Sequence, residues 1–306
     1  MINISQEQNS EDNLRLLGAQ RHLYTKAKYL QIWNFIIPIS LSGIAPIIVY
    51  FLPDFKNLLT IIGAICFGIF FIIDYLDFTY TKTAATIQEQ FDTTLFDLPW
   101  NKILVGNKVN PEIINDANRT FLTCKDNKKD LETWYSVPED IPYPLNILHC
   151  QRSNLVWDWR LRRHFALFIG IIVTIPILIC ILVAIIKNLT FFEFFLSLFI
   201  PSLSSIKKGV DIYIGNIKIA NDKENLEKKL SDLLESGLKD PKTIEIENCR
   251  QIQDKIFTYR CNSLLIPDKW YNWLRKNYQE DMEATAKELV KETNKNQPCN
   301  AKNQSR

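Results

Sequence analysis

The sequence predicts a mainly α-helical integral membrane protein, with four transmembrane helices in two hairpins and a helical cytoplasmic module. Four long apolar stretches, arranged as two close pairs, are the basis of this prediction: 30–53, 57–73, 165–186 and 189–206. The first three contain no charged residue, and the fourth contains only Glu193. A bilayer core is crossed by about 20 mainly apolar helical residues, and soluble cores rarely combine four such runs.

The connections within the two pairs are very short. Residues 53–56 join the first two stretches, and residues 187–188 join the last two, so each pair should form a tight helical hairpin. Basic residues cluster on the opposite side, within 15–28, 160–163 and 207–208. Because Lys and Arg concentrate in the cytoplasmic loops of membrane proteins, we expect both termini and the insert between the hairpins in the cytoplasm.

The pattern along the chain divides it into five regions. Helical spacing of apolar residues precedes Pro99, follows Pro111, starts again near Leu145 and recurs in the tail at 226–234, 244–259 and 270–282. The predicted organisation is an N-terminal cytoplasmic helix (1–29), a first transmembrane hairpin (30–76), a cytoplasmic helical insert (77–163), a second hairpin (164–206) and a cytoplasmic helical C-terminal region with a disordered end (207–306). The polar N-terminal region does not look like a signal peptide, so the first span should be retained.

Charge and motif content exclude several functional classes. The net charge is +2, and neither soluble region has a one-sided basic patch, so no duplex nucleic acid partner is expected. The sequence contains no GxxxxGK[ST], GxGxxG or HExxH motif. Of the three histidines, His149 is adjacent to Cys150, but neighbours on a helix point about 100° apart, so they do not form a catalytic dyad. We expect no enzyme activity, no cofactor and no metal site, and we expect the seven cysteines to be reduced.

Arg152 is the first candidate for ligand binding. On a helical wheel that begins at Leu145, it lies at the centre of an apolar face, where an unpaired charge is costly. One interpretation is a structural ion pair with Glu89 or Asp92. The other is a contact to an anion or a phosphate, which a planar guanidinium makes well. Gln151 is its neighbour, and Trp100, beside Pro99, could offer a face for base stacking.

Polar residues near the membrane give a second set of candidates. Glu193, Ser197 and Ser204 recur at roughly one- and two-turn spacing, as expected for a stripe that lines a water path or an interhelical seam. Alternatively, Glu193 lies close enough to the end of the span to reach the interface. The three arginines within 160–163 are interpreted as anchors for lipid headgroups.

The order of these features resembles the SMODS-associating four-transmembrane effector family over nearly the whole chain. The resemblance rests on four segments: Gln20-Arg21…Tyr24…Ala27-Lys28, Gln88-Glu89-Gln90-Phe91-Asp92…Leu98-Pro99-Trp100-Asn101, Trp134-Tyr135, and Cys150-Gln151-Arg152…Asn154…Trp157-Asp158…Arg160-Leu161-Arg162-Arg163. Gln88 and Asp158, taken from these segments, complete the predicted ligand-binding set: Arg152, Gln151, Trp100, Gln88 and Asp158.

The resemblance implies a function. Such proteins are linked to bacterial nucleotidyltransferases that make cyclic oligonucleotides during phage infection. It implies a multi-pass effector in the bacterial inner membrane that senses the nucleotide in the cytoplasm and permeabilises the membrane. The implied partners are membrane lipids, a cyclic oligonucleotide and further copies of the chain, because four spans are too few to enclose a wide pore. An ion channel or transporter unrelated to defence and a membrane-anchored scaffold or sensor remain alternatives.

Overall fold

The structure, a computed structural model, describes residues 3–123, 131–132, 134–136, 141–240, 243–268 and 270. These residues are almost entirely helical and contain no strand. The predicted helix at 270–282 and the predicted disordered end therefore lie largely outside the described residues.

The first half of the chain is built on two long antiparallel helices. After the short α1 (Ile4–Glu7), α2 (Glu11–Phe51) joins the predicted N-terminal helix and the first apolar stretch in one continuous helix. A 3-10 turn (Pro53–Phe55) leads into α3 (Lys56–Phe96), which continues from the second apolar stretch into the insert. Asp97 ends α3 in the left-handed conformation at φ 53°. Because Pro99 follows, the helix cannot resume there.

The second half also forms a helical hairpin, with a turn at which Asn188 has a positive φ. The short α4 (Lys102–Val105) and α5 (Pro111–Thr123) precede α6 (Leu145–Ile186), which enters the third apolar stretch without a break. Beyond the turn at 187–190 come α7 (Phe191–Phe194), a π-helical segment (Phe195–Phe199) and α8 (Ile200–Lys239). The separate short helix expected at 226–234 is in fact the last part of α8, and α9 (Ile246–Asn262) follows.

The apolar ends of the hairpins are the part suited to a membrane. α2 packs along α3, and α6 packs along α8. Outward-facing apolar side chains such as Ile65, Phe71, Leu178 and Ile185 stay exposed there, which favours a lipid surrounding over water. Among the described residues, Pro53–Phe96 and Leu145–Ile186 are long and apolar enough to cross a bilayer. The complete four-span topology and the cytoplasmic location of both termini stay predictions.

The polar ends of the hairpins form a helical module with its own core. Phe91, Leu95, Leu148, Leu155 and Leu230 are at most 1% exposed and bring α3, α6 and α8 into one cluster. α9 packs against α3 and α6 at this end. The module therefore places side chains from distant parts of the sequence around one space.

Candidate ligand-binding cavity

A cavity of about 350 Å³ opens between α2, α3, α6, α8 and the segment after α9. Its volume falls within the range of small-molecule sites, roughly 300–1,000 Å³. It is lined by Gln20, Arg21, Tyr24, Thr25, Lys28, Gln88, Glu132, Trp134, Tyr135, Ser136, Ser153, Asn154, Trp157, Asp158, Leu161, Arg162, Lys223, Arg260, Ser263, Leu265, Ile266 and Asp268. Many of these residues belong to the segments that carry the family resemblance.

The lining combines positive charge with aromatic faces. Its basic side chains come from α2, α6, α8 and α9: Arg21, Lys28, Arg162, Lys223 and Arg260. Its aromatic side chains are Tyr24, Trp134, Tyr135 and Trp157. The positive charge favours an anion, and the aromatic rings favour a flat apolar group beside it.

Asp158 pairs with two of the cations. Its Oδ2 accepts from Arg162 Nε and from Lys223 Nζ, each at 2.5 Å. Burial alone would raise the pKa of Asp158, but the charges of Arg162 and Lys223 outweigh it and hold the pKa well below its usual range. Burial lowers the pKa of Lys223 to about 8, with Asp158 opposing part of that shift. Asp158 is therefore ionised at neutral pH, while Lys223 is near its titration point.

Arg260 forms an ion pair with a carboxylate of α3, but its hydrogen-bonding capacity is only partly used. Its side chain is only 7% exposed, and Nη1 donates to Asp92 Oδ2 at 2.6 Å. Burial alone would lower the pKa of Arg260, but the charge of Asp92 raises it, so the guanidinium stays charged. Its Nη2 has no hydrogen-bond partner among the described residues, and neither has Gln20 Oε1 or Ser263 Oγ. Because buried polar groups are nearly always hydrogen-bonded, these three groups of cavity-lining residues indicate a polar ligand.

A buried network fixes α9 behind the cavity. Arg250 donates to Glu89 at 2.6 Å, and Gln253 Nε2 donates to both Glu89 and Asp92 at 2.9 Å. Tyr135 donates its hydroxyl to the other oxygen of Asp92 at 2.8 Å. Burial raises the pKa of Glu89, and the charge of Arg260 and the hydrogen bond from Arg250 oppose that shift. The network therefore positions Arg260 by fixing α9 against α3.

The segment after α9 crosses one side of the cavity, and we call residues 263–268 the strap. Arg162 Nη1 donates to Leu264 O at 2.9 Å, and Leu265 N donates to Gln31 Oε1 at 2.8 Å. Lys28 Nζ is 2.5 Å from Asp268 Oδ1. The strap is thus held by side chains of α6 and α2.

The chain just beyond the strap reaches the membrane end of α6. The ring of Trp270 lies 4.7 Å from that of Phe168 and 6.1 Å from that of Phe165, measured between centroids. Both phenylalanines belong to the third apolar stretch. The strap therefore lies between the cavity and the point where α6 becomes apolar.

The structure brings together two of the five predicted ligand-binding residues. Gln88 and Asp158 both line the cavity, and Gln88 Oε1 accepts from Tyr24 at 3.2 Å. Arg152 is outside the lining and forms an ion pair with Glu227 at 2.9 Å. A structural pair with a carboxylate was one of the two interpretations of this arginine, but the partner comes from α8 instead of α3.

Gln151 and Trp100 also lie outside the lining and have structural contacts. Gln151 Nε2 donates to Cys249 O at 2.8 Å and to Gln253 at 3.1 Å. Trp100 Nε1 donates to Gly106 O at 2.9 Å, and its ring lies 5.5 Å from the Lys108 ammonium. A ligand-binding role for these two stays a prediction without support from the cavity.

The cavity also contains cations that were not among the sequence-predicted site residues. Arg162 was interpreted as a headgroup anchor, yet it is 4% exposed and turned inward to Asp158 and Asn216. Arg260 continues the apolar face of α9 marked by Cys249 and Ile256, a spacing that could have indicated its burial.

The adjacent His149 and Cys150 show no nucleophilic arrangement. His149 Nε2 lies 3.2 Å from Ser136 O, and burial lowers its pKa. Burial raises the pKa of the Cys150 thiol, which keeps it protonated. Within the described residues, no cluster of His, Cys, Asp or Glu is placed to hold a metal ion.

The structure does not keep the regular α-helical spacing that was assumed for the predicted pore-lining stripe. Glu193 is exposed and caps its own helix by accepting from Thr190 N and Oγ1, at 2.8 and 2.9 Å. Ser197 lies in the π-helical segment, so the α-helical spacing assumed for the stripe does not hold across it. The side chain of Ser204 is outside the described part of the structure. The lining role of all three stays a prediction.

The fold and its cavity define a helical protein with membrane-type apolar hairpins and a cation-rich cavity at their base. The chain matches the family model described as SMODS-associating 4TM effector domain over residues 2–289, and it belongs to this family. This confirms the resemblance inferred from the sequence. The chain is similar to a probable CBASS effector molecule of Bacillus cereus (strain VD146), with 31% identity over 287 residues that cover 90% of this chain and 94% of the relative. No solved structure matches it.

Proposed function

We propose that this protein is a membrane effector of a CBASS anti-phage signalling system, in which a cyclic oligonucleotide binds the cavity and triggers permeabilisation of the inner membrane. The observation that carries the proposal is the convergence of basic and aromatic side chains in one cavity at the base of two apolar hairpins. Family membership and the description of the Bacillus relative support it.

The chemistry of the cavity suits a nucleotide ligand. Phosphodiesters accept charge-assisted hydrogen bonds, which Arg21, Lys28 and Arg260 are placed to donate. Bases stack on aromatic rings, and the rings of Trp134 and Trp157 line the same space. Each such stack is worth about 1–3 kcal/mol, so a few contacts contribute substantially to affinity.

The membrane output follows from the hairpin architecture. One chain has too few spans to enclose a wide aqueous path, so the permeable state needs several copies of the chain. We propose that Glu193, Ser197 and Ser204 face the shared path in that state. α6 and α8 both run from the cavity into the apolar hairpin, which gives ligand binding a direct mechanical route to the membrane.

A dye-release assay on proteoliposomes that contain the full chain tests this function. Cyclic dinucleotides and trinucleotides are added one at a time, and release that depends on one of them is the expected result. Release without any nucleotide would show a constitutive channel. Capture of another protein without release would show a scaffold.

A matched pair of variants tests the cavity itself. Arg21→Ala should weaken nucleotide binding about 10- to 100-fold, since a hydrogen bond to a charged group is worth about 1.5–3 kcal/mol. Arg119→Ala is the control, because this arginine pairs with Asp116 on the exposed face of α5. Equal affinity of both variants would place the ligand elsewhere.

A further inference from the structure

We propose that Asp158 and Asp268 hold the cations that two phosphodiester groups of the ligand take over, so that a cyclic oligonucleotide with at least two phosphodiesters loosens the strap. This inference rests on the proposed function and adds how the site is regulated. It follows from the way the cavity cations are paired.

The first carboxylate lies at the buried side of the cavity. Asp158 neutralises Arg162 and Lys223 through one oxygen, with both distances 2.5 Å. A phosphodiester carries the same single negative charge and also presents two oxygens to donors. Because Arg162 and Lys223 carry two positive charges against the one negative charge of Asp158, a phosphodiester can take one cation while Asp158 keeps the other, and no buried charge is left unpaired.

The second carboxylate lies on the strap. Asp268 pairs with Lys28 at 2.5 Å, and its side chain is 51% exposed. Exposed ion pairs contribute little to stability because water competes with them. This pair is therefore the easier one for an anionic ligand to open.

Two of the strap contacts are made by cations that the ligand would take over. Arg162 donates to the carbonyl of Leu264, and Lys28 holds the carboxylate of Asp268. A phosphodiester bound to Arg162 and another bound to Lys28 compete with both contacts. The bond from Leu265 N to Gln31 and the packing of Ile266 against Leu161 and Phe165 then remain, so the strap stays attached but is held less tightly.

The two anion positions define the ligand class. Asp268 pairs with Lys28, whereas Asp158 pairs with Arg162 and Lys223, so taking over both sets of cations requires two anionic groups, one for each carboxylate. A molecule with two phosphodiesters on one ring supplies both groups. The buried Arg260 Nη2 and Gln20 Oε1, which lack partners among the described residues, supply a further donor and acceptor for such a ligand.

The test compares Asp268→Asn with Asp116→Asn, which removes an exposed carboxylate from the ion pair with Arg119 on α5. Binding is measured by calorimetry with the cyclic dinucleotide or trinucleotide that binds wild-type protein most tightly. Asp268→Asn should bind it about two- to fivefold more tightly, since an exposed pair that opposes binding has been removed. Asp116→Asn should bind as wild type does.

Hydrogen exchange of residues 263–268 gives a readout that does not depend on affinity. Ligand should speed exchange in the strap of the wild-type protein, and Asp268→Asn should speed it without ligand. Slower exchange with ligand, or unchanged affinity and exchange in Asp268→Asn, would overturn the inference while leaving nucleotide sensing in place. Failure of wild-type protein to bind any cyclic oligonucleotide would overturn the proposed function as well.

Discussion

We predict that Gly209→Ala destabilises the protein, because even a methyl side chain does not fit at this position. A Cβ added there would overlap Cγ2 of Val173, so α8 approaches α6 closely at this point. Gly215 lies on the same helix, and a Cβ added there meets nothing within 4 Å. The two glycines therefore form a matched pair for Gly→Ala substitution.

Gly215→Ala should raise the free energy of unfolding, whereas Gly209→Ala should lower it. Replacing a helical glycine by alanine stabilises a helix by roughly 0.5–1 kcal/mol, and both positions gain this. Only Gly209→Ala also overpacks the interface, at a cost of about 1–3 kcal/mol, and the stiff rotamer of a helical valine limits relief. Gly209→Ala should therefore be less stable than Gly215→Ala by about 1–3 kcal/mol.

Thermal unfolding of the two variants in the same detergent measures this difference. In a chain of this size, 1 kcal/mol corresponds to roughly 2–4 °C in Tm. Val173→Ala makes room for the added methyl, so the double variant Gly209→Ala/Val173→Ala should lose less stability than the sum of the singles. If Gly209→Ala is as stable as Gly215→Ala, the helices do not pack as closely as the structure has them.

Three further predictions concern charged groups. Arg250→Ala should destabilise the protein by about 3–5 kcal/mol because it removes the close ion-pair partner of the buried Glu89 carboxylate; adding Glu89→Gln should recover part of the loss in a denaturant titration, and simple additivity of the two changes would contradict this. Arg152→Ala should cost about 1 kcal/mol through its pair with Glu227 and leave nucleotide affinity unchanged, so a tenfold loss in calorimetry would refute the structural assignment. Nucleotide affinity should fall as the pH rises through about 8, because Lys223 then loses the proton that attracts phosphate; Lys223→Arg should flatten this dependence, and an unchanged pH profile would argue against contact with this lysine.

Local patterns predicted much of the helical plan. The charge-poor runs and the turns at 53–55 and 187–190 were readable because each depends on residues that are adjacent in sequence. The same is true of α5 and of α9, where apolar spacing marks the buried face. Continuity was harder to predict: α8 extends to Lys239 without the expected break, since the polar residues between its apolar groups still favour a helix.

The cavity could be predicted only in part, because it is assembled from residues far apart in sequence. Gln88 and Asp158 were found through their segments, but Lys223 and Arg260 come from the C-terminal region and meet them only through packing. Arg162 was assigned to lipid headgroups since it lies among other arginines beside a span. Its inward direction depends on Asp158 one turn earlier and on Asn216 of another helix, a pairing that periodicity does not indicate.

The unbroken length of α6 allows it to act as a lever. Arg162 contacts the cavity, and the helix continues from there to Ile186 over about 36 Å at 1.5 Å per residue. A tilt of about 5° near Arg162 would carry the far end by about 3 Å over this length. A rearrangement no larger than the exchange of one ion pair for another would thus be multiplied along the helix, and the hairpin tip would move farther than any atom at the binding site.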